Sequence, residues 1–526
     1  MHNARRAGFA AALAITFVMG GFILPDRATM SGPGLFRDVV TIISTRYIDS
    51  LDISAVYERA AEGLVSQLGD PYAELYSPED MEDFTATYEG HYGGVGMMIE
   101  SHQGLPVVRR VFPNTPAERR GVAEGDRVLT IDGDPVEGWP LERVANTLKG
   151  RPGSIVEVRF RRHGVPQPIM VRMTRAVVRI PAVPFSTPIT DNVGYIPLLQ
   201  FNETAAAEVT AALGELSASG ATSVILDLRG NSGGMLDQAV RIAGLFLPLG
   251  APVARQWERG GEDIRYVNER QPLAPDLPVV VLVDGASASA AEIVAGALQD
   301  HDRAVVVGST SFGKGLVQTA YRVEGDYVLK LTTGKWYTPS GRSIHRERTM
   351  LAGRLVEVDD SVHFATGRDD RPTYRSVGGR LVYGGGGITP DLAVEPVRLD
   401  EAAEALVRAL LPYSPEFHTL ISDYATELKD QVERGFVVTQ EWRDEVYSRL
   451  AEEGVGLDRE IYDAGSRYVD RILADRIGRM AFGEAYAMIR DLGHDRPLLR
   501  GLEVIREGGL EQDGLLLYVS SIAQDR

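Results

Sequence analysis

The stretch that decides the fold runs from Val279 to Asp300, VVVLVDGASASAAEIVAGALQD, and is followed by Val305 to Gln318, VVVGSTSFGKGLVQ. Val279 to Val283 is a β-branched run suited to a buried strand, and Ala290 to Leu298 favours a helix. Ser287 and Ser289 therefore fall where a strand gives way to a helix N-terminus. There the first backbone N–H groups are unpaired, and the helix dipole favours developing negative charge. A serine so placed is a candidate nucleophile beside a ready oxyanion hole. It needs a base, and Lys314 is the candidate, flanked by Gly313 and Gly315 in apolar surroundings. A desolvated lysine loses its preference for the charged form and can take a serine's proton near neutral pH. A serine before a helix is ordinarily an N-cap, which is the reading for Ser287.

Two neighbouring patterns point elsewhere and fail on chemistry. Gly308 to Lys314 fits the opening of a phosphate-binding P-loop, but that loop needs Ser or Thr after the lysine to hold magnesium. Here the residue is Gly315, and LVQTAYRV then continues as a strand where the P-loop needs a helix. Ser311-Phe-Gly-Lys314 spells S-x-x-K, which requires a helical turn that Gly313 and Gly315 disfavour. The G-x-S-x-G elbow is absent, because Gly285-Ala-Ser287-Ala-Ser289 ends in serine.

Together the two motifs resemble those of the carboxy-terminal processing proteases, the tail-specific Ser–Lys peptidase family. The resemblance implies that Ser289 in SASAAE is the nucleophile, with Glu292 completing the pattern, and that Lys314 in FGKG is the base. It gives Gln318 the role of orienting the lysine. It matches Asp300 to an aspartate of the family motif, for which catalytic and helix-terminal structural roles both stay open. The oxyanion donors would be the Ala290 amide and a glycine amide, Gly233 or Gly234, from DLRGNSGG, which resembles the family's D-L-R-x-N-P-G-G with Ser232 in place of proline.

The 526 residues predict three or four domains, and an apolar fraction of 44% is ample for folded cores. A net charge of −18 without a long basic run argues against nucleic acid as a partner. The absence of cysteine excludes disulfides, cysteine catalysis and zinc–thiolate sites. The nine histidines are scattered without metal-ligand spacing, so no metal site and no cofactor is expected.

At the N-terminus, Arg5 and Arg6 precede an uncharged apolar run from Ala7 to Leu24. No small-x-small cleavage site closes it, so residues 1–30 are expected to form a signal or membrane-anchor segment, with a retained anchor favoured. The rest of the chain is then expected in the cell envelope, outside the cytoplasm. Residues 31–88 read as helices, from the spacing of Phe36, Val39, Val40, Ile43 and Tyr47 and of Val56, Ala60, Leu64 and Leu68, broken at Gly69-Asp70-Pro71.

Residues 89–175 resemble a PDZ domain, on GGVGMM from Gly93, the run VVRRVFPNTPAERRGVAEGDRVLTIDGDPV, a helix near Leu141 to Leu148 and the strand IVEVRF. Such domains capture a chain terminus by adding it as a strand at a sheet edge. The resemblance implies that amides around Gly94, Val95, Gly96 and Met97 hold the terminal carboxylate, with Val95 and Met97 lining a pocket for the last side chain. Residues 176–400 alternate strands and helices as an α/β core, crotonase-like by resemblance, with an insert at about 346–386 whose default is a surface excursion. Residues 401–526 are acidic and helical, and packing against the protease is the simplest expectation.

The fold expected is thus multidomain α/β, with a β-rich PDZ domain upstream of the core and all-α segments at both ends. The function expected is a serine endopeptidase acting on unfolded or tagged protein C-termini. Membrane contact is expected through the N-terminus, and homo-oligomer or adaptor contacts through the helical regions. The alternative is a non-catalytic PDZ scaffold or tail sensor with a protease-like body, against which intact Ser289, Lys314 and Gln318 argue.

Overall fold

The computed structural model describes residues 32–49, 51–81, 90–102, 105–162, 165–351, 354–357, 371–395 and 398–524. The expected anchor segment lies outside them, and among the described residues no helix is long and apolar enough to cross a membrane. The chain divides into two units, residues 1–75 and 76–526.

The first unit contains helices α1 (Gly32–Arg46) and α2 (Ile53–Ser66). Asp52 caps α2 by accepting from the Ser54 amide at 3.0 Å. The predicted break after it is a turn in which Gly69 takes a φ of 71° and Asp70 Oδ1 accepts from the Tyr72 amide. The apolar stripe of these helices stays largely exposed, Phe36, Val39, Ile42, Tyr57 and Leu64 among it.

The second unit begins with the β-rich domain. Strand β1 (His91–Gly94) leads into β2 (Met97–His102), β3 (Leu105–Val111) and β4 (Arg127–Ile131), then helix α3 (Leu141–Leu148), β5 (Ile155–Arg161), β6 (Ile169–Thr174) and β7 (Ala176–Arg179). The sheet order is β2-β3-β4-β5-β6, which leaves β2 at an edge, and β1 pairs antiparallel with β7 in a separate two-stranded sheet. Strand β5 alternates exposed and buried residues, and Val156, Val158 and Phe160 join Val144 and Leu148 of α3 in one core.

The α/β core follows with β8 (Thr187–Thr190), β9 (Val193–Pro197), α4 (Ala205–Ala218), β10 (Ser223–Asp227), α5 (Leu236–Gly244), β11 (Pro252–Glu258), β12 (Asp263–Val267), β13 (Val279–Val283), α6 (Ala290–Asp300), β14 (Val305–Gly308), β15 (Leu316–Arg322), β16 (Val328–Tyr337) and β17 (Leu392–Ala393). The main sheet runs β8-β9-β10-β13-β14-β17, parallel throughout except for the antiparallel edge strand β8. Every residue of β9, β10, β13 and β14 is buried, as expected of parallel strands covered on both faces. Strands β15, β16, β11 and β12 lie in a second, antiparallel sheet.

Helices α7 (Glu401–Leu410), α8 (Ser414–Leu428), α9 (Gln440–Glu452), α10 (Arg459–Ala464) and α11 (Ser466–Phe482) share an apolar core of their own, centred on Phe417, Tyr462 and Leu473. Helix α12 (Glu484–Asp491) packs on α11. The last two helices, α13 (Arg496–Gly508) and α14 (Gln512–Gln524), leave that cluster. Leu498, Val504, Ile505, Leu515 and Val519 pack against Ile225, Val280, Leu282 and Val307 of the main sheet. Gly501 makes this approach close: a methyl there would already touch Val280 at 3.3 Å. The C-terminal region is therefore divided, and its end is a layer of the α/β core.

The insert is less of an excursion than expected. Arg380 pairs with Asp302 at 2.9 Å and also with Asp391, while Arg348 lies 3.7 Å over the Phe312 ring. Val382 is buried. Charged side chains stitch the described parts of the insert to the core, a role that composition did not disclose.

Candidate active site

Ser289 is the N-cap residue of α6, with φ 53° and ψ −113°. Such a backbone costs a non-glycine residue about 1–3 kcal/mol and persists where the surroundings impose it. The surroundings here are identifiable. Ser289 N–H donates to Glu292 Oε2 at 2.9 Å, and the Ala288 amide donates to Asn231 O at 2.9 Å. Ser287 is structural, as expected, but it caps no helix: its fully buried hydroxyl donates to Leu228 O at 2.8 Å and ties the turn to β10.

Glu292 is the hub of the site and is fully buried. Its Oε2 accepts from the amides of Ser289 and Lys314 at 2.9 and 2.8 Å. Its Oε1 accepts from the Gly313 amide at 2.6 Å and the Ser311 hydroxyl at 2.5 Å. Burial pushes this carboxyl up from its ordinary range, while the four donors pull the other way. One oxygen thus joins the backbones of the two residues singled out as nucleophile and base. Lys314 is fixed on its other side as well, since Trp336 Nε1 donates to its carbonyl at 3.0 Å. Strand β15 begins at Leu316, two residues after Lys314, where a P-loop would need a helix.

Gln318 sits on β15 beside a bulge at Val317/Gln318, and its buried Nε2 has no hydrogen-bond partner. Gly233 packs directly against the serine. A Cβ on it would lie 2.8 Å from Ser289 Cβ and 3.0 Å from the Ala290 amide nitrogen. Its φ of 105° is likewise a glycine conformation. The Gly233 amide donates to Asn231 Oδ1 at 2.8 Å, whereas Ala290 is the first residue of α6, a position whose amide has no partner within the helix. Gly234, at φ 139°, lies against Phe201, whose carbonyl a Cβ would meet at 2.4 Å.

Asp300 does not join this constellation. It ends α6, about 16 Å of helix from Ser289. Its carboxylate pairs with the fully buried Arg342 at 2.8 Å and accepts from the Ser340 amide at 2.9 Å. The geometry favours the structural role of the two left open.

In the β-rich domain, Gly94 ends β1, and Val95 and Met97 are buried in the domain core. The carbonyls of Val95 and Gly96 accept from Ala117 and Phe112 at 2.8 and 2.9 Å, which turns this loop's acceptors inward. Gly96 has φ 85°, and a Cβ there would collide with Thr115 at 2.2 Å. The loop opens directly onto edge strand β2, with α3 packed beside it.

Sequence reasoning noted Glu292 as part of a motif and missed its four donors. It also missed Ser311, Asn231 and Arg229, which hold the two loops. The S-A-S-A-x-E spacing could have suggested that Glu292 returns to the Ser289 amide, as in a capping box. Among the described residues no group of His, Asp and Glu is placed to hold a metal ion.

The model of peptidase family S41 matches residues 192–350, and that of the PDZ domain matches residues 87–159. The carboxy-terminal-processing protease of Bartonella bacilliformis is 34% identical over 313 residues, which cover 59% of this chain and 71% of that protein. The carboxy-terminal processing protease CtpA of Bacillus subtilis is 30% identical over 342 residues, 64% of this chain and 72% of that protein. Among solved structures, the photosystem II D1 C-terminal processing protease aligns at 27% identity with a TM-score of 0.35, covering 63% of this chain and 93% of that one. The matched residues include both loops that Glu292 joins, and the chain belongs to the carboxy-terminal processing proteases of peptidase family S41.

Proposed function

We propose that this chain is a serine endopeptidase of the cell envelope that receives protein C-terminal tails on its PDZ domain and cleaves through an acyl-enzyme. The observation that carries the reading is the single buried oxygen, Glu292 Oε2, accepting from the amides of both Ser289 and Lys314. Neutral Lys314 takes the proton of Ser289 Oγ as that oxygen attacks the scissile carbonyl. The oxyanion forms at the Ala290 amide and the Gly233–Gly234 turn, where each donor supplies about 2.7–4 kcal/mol. Protonated Lys314 passes its proton to the departing amine, and water then hydrolyses the ester. Gln318 orients the lysine, and its unpartnered Nε2 marks a position for a polar group of the substrate complex.

An incoming tail adds as a strand to β2, and the amides of the Gly94–Met97 loop hold its carboxylate. The exposed apolar stripe of α1 and α2 supports pairing between two copies. The apolar run from Ala7 to Leu24 supports membrane attachment, with the protease on the extracytoplasmic side. The test is mass spectrometry of an unfolded protein with an apolar C-terminus, incubated with this chain and with Ser289→Ala. Fragments formed by the unmodified chain alone support the proposal. Tail binding without cleavage by either would favour the scaffold, and equal cleavage by both would remove Ser289 from its role.

A further inference from the structure

The turn that carries Gly233 and Gly234 begins at Arg229, two residues beyond the end of β10. Arg229 is gripped from two sides. Its Nε donates to both Asp227 oxygens at 2.9 and 3.0 Å, and its Nη2 to Asp227 Oδ2 at 2.6 Å. Its Nη1 and Nη2 reach Asp495 Oδ1 and Oδ2, each at 2.8 Å, in a two-pronged pair. Tyr195 completes the cluster by donating its hydroxyl to Asp227 Oδ2 at 2.7 Å. Arg229 and Asp495 each retain about a quarter or less of their side-chain exposure, 22% and 24%, so the pair is shielded from bulk screening. The two carboxylates hold the Arg229 guanidinium more firmly charged than usual, against the pull of burial.

Asp495 lies 266 positions further along the chain, outside the part matched to the S41 family. It is also the N-cap of α13, accepting from the Leu498 amide at 3.0 Å. Helix α13 is seated on the main sheet, and α14 reinforces it: Gln512 Oε1 accepts from the Val279 amide at 2.8 Å, at the start of the strand that leads to Ser289. A rigid element therefore ends in a carboxylate that fixes the first residue of the turn packed on the nucleophile.

We infer that Asp495 is a positioning residue of the protease. Through Arg229 it sets the oxyanion turn, so α13 and α14 belong to the catalytic unit. The inference rests on the serine-protease reading. It adds that a residue of the C-terminal region governs transition-state stabilisation without touching the substrate.

Asp495→Asn separates this role from helix capping, because asparagine caps a helix as well as aspartate but carries no charge for Arg229. We expect kcat on a peptide substrate to fall about tenfold or more, since small displacements of an oxyanion donor are costly. KM is expected to stay within about twofold and the melting temperature close to that of the unmodified chain, and amide exchange over residues 229–235 to quicken. The double variant Arg229→Gln/Asp495→Asn should be no slower than Arg229→Gln alone, because both remove one interaction. Unchanged kcat and unchanged exchange in Asp495→Asn would overturn the inference, as would effects that multiply in the double variant. If the unmodified chain proves inactive, the protease reading fails, and the exchange measurement alone still decides whether Asp495 holds the turn.

Discussion

Ser289 holds a backbone conformation that only its neighbours make tolerable, and the nearest of them is a glycine. Because a Cβ on Gly233 would press on Ser289 Cβ at 2.8 Å and on the Ala290 amide, Gly233→Ala is expected to lower kcat about a hundredfold or more. Steady-state cleavage assays check this, and activity within a few-fold of the unmodified chain would contradict it. His345 offers a second test, through pH. It packs against Gly315, next to Lys314, and burial with Lys335 nearby lowers its pKa below the ordinary 6.5. In the unfolded chain the imidazole protonates first as the solution is acidified. Its contribution to stability is therefore complete above pH 6.5 and is lost as pH falls from there through the folded-state value. His345→Gln is expected to give a shallower loss of melting temperature on that acid side. An unchanged slope would mean that His345 does not titrate differently on folding.

Helix α6 works at both ends, and the ends do different things. Its N-terminus presents Ser289, while at its C-terminus Asp300 neutralises Arg342 in a pair exposed by 1% and 0%. Removing one partner of such a pair leaves an uncompensated buried charge, so Asp300→Asn is expected to cost about 3–5 kcal/mol in denaturant unfolding. A change below about 1 kcal/mol would show that the pair is better solvated than its burial implies. At this scale the sequence was legible: the apolar run Val279–Val283 is a fully buried strand, and Ala290–Asp300 is the helix after it. Lys314 and Gly233 lie in local motifs that the sequence displays, and the structure places both beside the Ser289 turn. What stayed hidden were contacts closed over long separations. Glu292 collects donors from Ser289, Ser311, Gly313 and Lys314, and neither periodicity nor turn chemistry encodes such a meeting. Arg348 over Phe312 and Asp495 on Arg229 are hidden in the same way, because an isolated charged residue reads as a solvated one until the fold supplies its partner.

Across the whole second unit, the C-terminal region serves two purposes that its uniform helical composition concealed. Helices α7 to α11 form a separate apolar core, whereas α13 and α14 close one face of the main sheet. A chain ending at Asp491 leaves Tyr195, Ile225, Val280, Leu282 and Val307 without cover. We expect that truncation to be insoluble or to lose its cooperative melting transition, as judged by sedimentation and calorimetry. A soluble, cooperatively folded product would show that the sheet does not need this layer. The C-terminal helices also meet the β-rich domain, through Arg127–Asp423 at 3.0 Å on α8 and Arg110–Glu484 at 3.5 Å on α12. The central claim, that Ser289 is a nucleophile activated by Lys314, is tested most directly by covalent capture. The protein is treated with a serine-reactive fluorophosphonate, and the adduct is located by peptide mass spectrometry in the unmodified chain and in Lys314→Met. The account predicts one adduct, on Ser289, formed by the unmodified chain and lost in Lys314→Met. An adduct on another residue, or equal labelling of both proteins, would contradict it.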